Sequence, residues 1–106
     1  MSDFPYNFHD ALLMDFSVGP RREISIHVLL DPVWNRQQER TVRVRFGAVS
    51  NMETVASFFE RIDRPDDPNR SIAEIESLKY LRRDVILLEL SEIGPIEIRS
   101  RNVTMD

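Results

Sequence analysis

An α+β fold is the class this sequence predicts: a single-layer, mostly antiparallel sheet of about five strands, with one or two helices packed on one face. Three observations predict it. Short stretches in which apolar and polar residues alternate recur along the chain, as half-buried strands require. One stretch beginning at Ser50 changes to helical spacing, and turn-forming pairs such as Gly19-Pro20, Asp31-Pro32 and Gly94-Pro95 separate the elements. The chain has 106 residues, enough for one hydrophobic core and too few for two, since domains usually run to ~100 to 150 residues. A single domain spanning residues 1–106 is expected.

The first strand is read from Ala11 to Val18, with Leu12, Met14, Phe16 and Val18 on one face and Leu13, Asp15 and Ser17 on the other. Gly19-Pro20-Arg21-Arg22 turns the chain into a hairpin. The second strand directs Ile24, Ile26, Val28 and Leu30 inward and Ser25, His27, Leu29 and Asp31 outward. Asp31-Pro32 ends it, and a polar segment through Glu39, carrying the only tryptophan, Trp34, leads to a third strand from Arg40 to Phe46. There Val42, Val44 and Phe46 point in while Thr41, Arg43 and Arg45 point out, so strands two and three should form an antiparallel hairpin with a solvated outer face.

Val55, Phe58, Phe59 and Ile62 recur at helical spacing and predict a helix from about Met52 to Ile62, with Ser50 and Glu53 fitting a capping box. Its apolar stripe and the inward sheet face each need cover, and packing one on the other satisfies both. Residues 63–70, with Pro65, Asp66, Asp67, Pro68 and Asn69, form a loop. From Ile72 to Leu81 two readings compete. Ile72, Ile75, Leu78 and Leu81 at three-residue intervals behind Ser71 and Glu74 favour a short helix; a strand from Ile72 to Leu78 is the alternative. Asp84 to Ser91 reads as strand with Ile86, Leu88 and Leu90 inward. Ile93-Gly94-Pro95 turns the chain into a last strand from Ile96 to Met105, where Val103 and Met105 fall out of phase with Ile96 and Ile98. A bulge or a strand end near Ser100–Asn102 accounts for the slip.

Composition narrows function by exclusion. The net charge of −4 argues against sequence-independent binding to nucleic acid, which works by neutralising phosphates. The charge is uneven: residues 1–50 hold six basic and six acidic side chains, and residues 51–106 eight basic and twelve acidic. Cysteine is absent, which removes disulfides, thiolate nucleophiles and zinc–thiolate centres together. No stretch approaches the ~20 apolar residues of a membrane span, and the first twenty residues lack the basic start and apolar run of a secretory signal. A cytoplasmic, cofactor-free protein without membrane association is the expectation.

Candidate site residues are few. His9-Asp10 is the nearest approach to a chemical motif, because a carboxylate can orient an imidazole and raise its basicity; adjacent residues seldom face each other in extended chain, so a backbone-capping role is the plainer reading. His27 could complete a metal site with them, although a solvated outer-face histidine is favoured. Trp34 either anchors an interface or folds back over the core. Arg43 and Arg45 on one strand and Arg99 and Arg101 on another make a positive stripe if those strands are neighbours, and ordinary cross-strand ion pairs if Glu89 or Glu97 lies between them. The aspartates at 63, 66 and 67 lack the spacing of a calcium loop and read as a solvated turn.

Phe8-His9-Asp10-Ala11 before an alternating hairpin, and Val44-Arg45-Phe46-Gly47-Ala48-Val49-Ser50 leading into a helix, resemble small bacterial domains of uncharacterised or immunity-protein type. The resemblance covers roughly residues 1–60. It implies a small acidic protein that binds and blocks a partner toxin, and it designates no binding residue. Missing catalytic chemistry, an acidic second half and a charged sheet face favour a non-enzymatic protein-binding module, with a protein partner or self-association. The competing class is a small ligand-binding protein or enzyme using His9 and Asp10.

Overall fold

The computed structural model describes residues 4–36 and 40–106, so the end of the polar loop before Arg40 (residues 37–39) lies outside the described residues. Seven strands and one helix follow in the order β1 (Leu12–Gly19), β2 (Glu23–Leu29), a 3-10 turn (Pro32–Trp34), β3 (Thr41–Gly47), α1 (Met52–Glu60), β4 (Ala73–Arg82), β5 (Val85–Leu90), β6 (Gly94–Arg99) and β7 (Asn102–Met105). All strands join one antiparallel sheet ordered β6-β5-β4-β1-β2-β3-β7. The α+β class stands, with one helix as allowed for and seven strands rather than about five among the described residues.

The sheet cannot be flat. β6 and β7 occupy opposite edges, yet only Ser100 and Arg101 separate them. Three Cα steps cover at most about 11 Å, so the edges must converge at that corner and the sheet must curl. β4 provides the bend: Ala73 and Glu74 pair with β1, while the strand from Ile75 onward pairs with β5. Helix α1 fills the concavity, where Phe59 is wholly buried and stacks on Phe16 of β1 with ring centroids 5.0 Å apart. The inward sets Ile24, Ile26, Val28, Leu30 and Val42, Val44, Phe46 are buried as their alternation predicts, as are Ile86, Leu88, Leu90 and Ile96, Ile98.

Three local expectations give way to tertiary structure. In β1 the buried residues are Leu13 and Phe16, which strict alternation put on opposite faces, because a bulge at Met14 makes the ladder pass from Leu13↔Val28 directly to Asp15↔His27. Val18, on the same predicted face as Phe16, is 39% exposed. The stretch 72–81 is strand, not helix. A bulge at Glu76 puts two residues rather than one between the inward Ile75 and Leu78 and thereby counterfeits helical spacing, and a second at Leu81 leaves that leucine exposed. The helix is also shorter than expected, ending at Glu60, and its Ser50–Glu53 capping box does not form. Asn51 stands at the N-cap without a side-chain capping bond, since its amide is engaged elsewhere.

The out-of-phase Val103 and Met105 are explained by a strand end. β6 stops at Arg99 and β7 begins at Asn102 on the far edge. Buried Ser100 fastens the corner: its hydroxyl donates to the Gly47 carbonyl at 2.6 Å, and its N–H donates to the Asp84 carbonyl at 3.0 Å. At the other end of the sheet, Gly94 turns β5 into β6 with φ of 113°, a conformation that side chains beyond glycine rarely adopt.

Candidate functional site

The segment before β1 and the 3-10 turn after β2 are tied together side by side. Asn7 N–H donates to Asn35 Oδ1 (3.0 Å) and the Asn35 amide donates back to the Asn7 carbonyl (2.8 Å), while also reaching the Asp31 carbonyl (2.9 Å). Asp31 in turn accepts from Val33 N–H at 2.8 Å and caps the turn, which Pro32 suits at its first position. This lock brings His9, Asp10 and Trp34 together. Asp10 adopts φ of 62° and accepts a hydrogen bond from Trp34 Nε1 at 3.1 Å; the His9 ring meets the indole edge to face at 5.0 Å. His9 Nε2 lies 3.6 Å from Asp10 Oδ1, beyond hydrogen-bonding distance, and both side chains are roughly half exposed. Asp10 therefore orients the indole, and the cluster presents Trp34 in a set position on the surface.

Beside this cluster opens a cleft of about 690 Å³, walled by the segment before β1, the turn and β4. Phe4, Tyr6, Trp34 and Tyr80 contribute aromatic surface; Arg36, Arg40 and Lys79 contribute three positive charges; no described lining residue is acidic. Phe4 stacks on Tyr80 at 4.7 Å, and the Arg40 guanidinium lies over the Tyr6 ring at 5.2 Å, within cation–π range. Burial, and after it the Asp84 carboxylate, raises the Tyr80 hydroxyl above its ordinary 10.0.

The remaining arginines do not form one stripe. Arg43 and Arg45 point outward from β3, with Arg43 opposite His27 and Arg45 opposite Ser25. Arg99 lies on edge strand β6 and Arg101 in the corner, in a second, smaller cleft with Arg82 and Asp84. Neither Glu89 nor Glu97 is a cross-strand neighbour of these arginines: across β5 and β6, Glu89 faces Pro95 and Glu97 faces Leu87. The ion pair present in this set is between Arg45 and Asp106, at 4.0 Å. His27 sits between Asp15 and Arg43 on the outer face, away from His9. Among the described residues no three histidine or carboxylate side chains converge as metal ligands, and no helix is long and apolar enough to cross a membrane. In the 63–70 loop Asp67 accepts from Asn69 N–H at 2.9 Å, while Arg64 pairs with Asp15 and lies over the Phe16 ring at 4.1 Å.

Of the residues singled out in the sequence, the structure brings His9, Asp10 and Trp34 together, and Trp34 lines the cleft; Tyr6, Arg36, Arg40, Lys79 and Tyr80, which line it too, were not singled out. The Asn7–Asn35 exchange that joins their segments spans 28 residues, and no periodicity reports such a contact. What the fold and site define is a small α+β domain with a curled seven-stranded antiparallel sheet and an aromatic, cationic cleft at one end. Comparison with known proteins adds no closer identity, because no family model, no curated protein and no solved structure matches the chain.

Proposed function

We propose that this domain is a non-enzymatic, cytoplasmic protein-binding module that receives an acidic segment of a partner in the cleft beside Trp34. One observation carries the reading: on a protein of net charge −4, three cations and five aromatic rings line one open cleft without a described carboxylate among them. An acidic segment bearing an aromatic or aliphatic anchor matches both features. Its charges meet Arg36, Arg40 and Lys79, and its anchor lies against Tyr6 and Trp34, residue types that dominate binding interfaces. The Asn7–Asn35 and Asp10–Trp34 hydrogen bonds support the same reading, because they hold the indole in place before a partner arrives and lower the entropy cost of association. In the version suggested by the resemblance to immunity-type domains, the partner is a toxin and the module occludes it.

Selection from a random peptide display library tests the proposal. Wild-type protein is expected to enrich acidic sequences with an apolar anchor, and their binding to quench or shift Trp34 fluorescence. Arg36→Glu/Arg40→Glu should weaken that binding at least tenfold, whereas Arg43→Glu/Arg45→Glu on β3 should leave it within about twofold, each 1.4 kcal/mol being a factor of ten. Enrichment without acidic bias, or equal loss in both double variants, overturns the assignment of the cleft.

A further inference from the structure

An antiparallel sheet has two edges, and because β1 and β4 pair only over Leu12–Leu13 and Ala73–Glu74, each of them leaves a further free stretch; every such stretch is a template for another strand unless it is obstructed. That of β4 runs along the cleft beside Trp34, which the segment before β1 walls, and those of β6 and β1 are obstructed by side chains. On β6, the Asn51 amide donates to the Glu97 carbonyl (2.8 Å) and accepts from Arg99 N–H (3.0 Å), Ser50 N–H takes the Arg99 carbonyl (2.9 Å), and Pro95 has no N–H to offer. On β1, Asp15 accepts from Phe16 N–H (2.8 Å) and Arg64 donates to the Phe16 carbonyl (2.6 Å).

β7 has no such guard among the described residues. Arg43 and Asp106 exchange both main-chain hydrogen bonds (3.2 and 3.0 Å). Alternation along an antiparallel ladder then places Thr104 in the next bonded pair, with Arg45, and turns the N–H and C=O groups of Val103 and Met105 away from β3. Both side chains are half-buried against the core, so the edge is polar in its main chain and apolar beneath.

We propose that β7 pairs antiparallel with β7 of a second copy of this chain, across a two-fold axis at Thr104. The strand is complementary to itself in that register. Val103 lies opposite the partner's Met105 and Met105 opposite the partner's Val103, which exchanges four main-chain hydrogen bonds and covers apolar surface on the inner side. On the outer side Thr104 meets the partner's Thr104, and Asn102 meets the partner's Asp106, an amide beside a carboxylate, with no like charges across the seam. The closed two-fold consumes both free edges and stops at two copies. The cleft beside Trp34 is not part of this surface.

The chain's lack of cysteine makes the test clean. Opposed residues at a non-hydrogen-bonded antiparallel position have Cα atoms about 4.5 Å apart, within the ~4.4–6.8 Å span of a disulfide. Light scattering should give twice the chain mass for wild type. Thr104→Cys should cross-link to a dimer under mild oxidation, well ahead of Ser57→Cys on the exposed side of α1. Met105→Pro, which deletes an edge N–H and no bond to β3, should return a folded monomer by circular dichroism. A wild-type monomer at the highest soluble concentration overturns the proposal, and so does a dimer in which Thr104→Cys cross-links no faster than Ser57→Cys. In the second case the copies meet elsewhere.

Discussion

Asn51 does for β6 what a neighbouring strand would do. Its side-chain amide presents one donor and one acceptor at the spacing of a peptide group, and the Glu97 carbonyl and Arg99 N–H take both. The same residue is the N-cap of α1 and makes no capping bond. Asn51→Asp separates the two roles. Aspartate is as good an N-cap as asparagine and better placed for the helix dipole, so a capping role predicts unchanged or higher stability. A stapling role predicts a loss, because the carboxylate keeps the Arg99 bond but sets a lone pair against the Glu97 carbonyl. We expect Asn51→Asp to lower stability by ~1–3 kcal/mol, the cost of an unsatisfied, partly buried acceptor, read as a lower urea midpoint with an unchanged slope. The residue-level signals in the sequence were of unequal worth. Trp34 stood out by rarity, and it lines the cleft. Asn51 and Asn35 did not, since an asparagine in a turn-rich stretch carries no mark of the distant carbonyl it will bind.

At the scale of elements, alternation identifies a strand only while it stays in step. β2, β3, β5 and β6 keep one phase from end to end, and their inward residues were legible in the sequence. β1 contains one bulge and β4 two, and there the two-residue period breaks. The shift at Met14 exchanged the assigned faces of Leu12–Met14, and the extra residue at Glu76 turned a strand period into an apparent helical one. A deletion experiment follows from the register. Removing Met14 eliminates the extra residue and leaves Leu13 and Phe16 both inward. Removing His27, from a strand without a bulge, moves every residue on one side of the gap to the opposite face. Deletion of Met14 should therefore yield a cooperatively folded protein, and deletion of His27 one without a cooperative thermal transition. Equal disruption by both would show that the bend at Met14 matters more than the inward pattern.

For the molecule as a whole, one continuous apolar cluster includes residues of all the first six strands and of α1, with Val103 and Met105 of β7 packed against it. No part has a core of its own, so unfolding should be a single transition. Trp34 fluorescence, reporting the 3-10 turn and its Asp10 bond, and far-ultraviolet circular dichroism, reporting the sheet, should share one urea midpoint. Phe59→Ala should shift both together by ~3–5 kcal/mol, the usual cost of emptying a buried aromatic site. An earlier fluorescence transition would mean that the turn and its cleft open independently of the sheet. The sequence by itself determined the α+β class, the order of the strong elements and their inward faces, because solvent imposes a local period on any strand or helix with one wet side. Only the tertiary structure decided the sheet order, the three bulges, the corner at Ser100–Arg101 and the assembly of Tyr6, Trp34, Arg40 and Tyr80 into one cleft. Those depend on how a twisted sheet curls to cover its helix and on bonds between residues far apart in the chain, and neither leaves a periodic trace in the residues that make them.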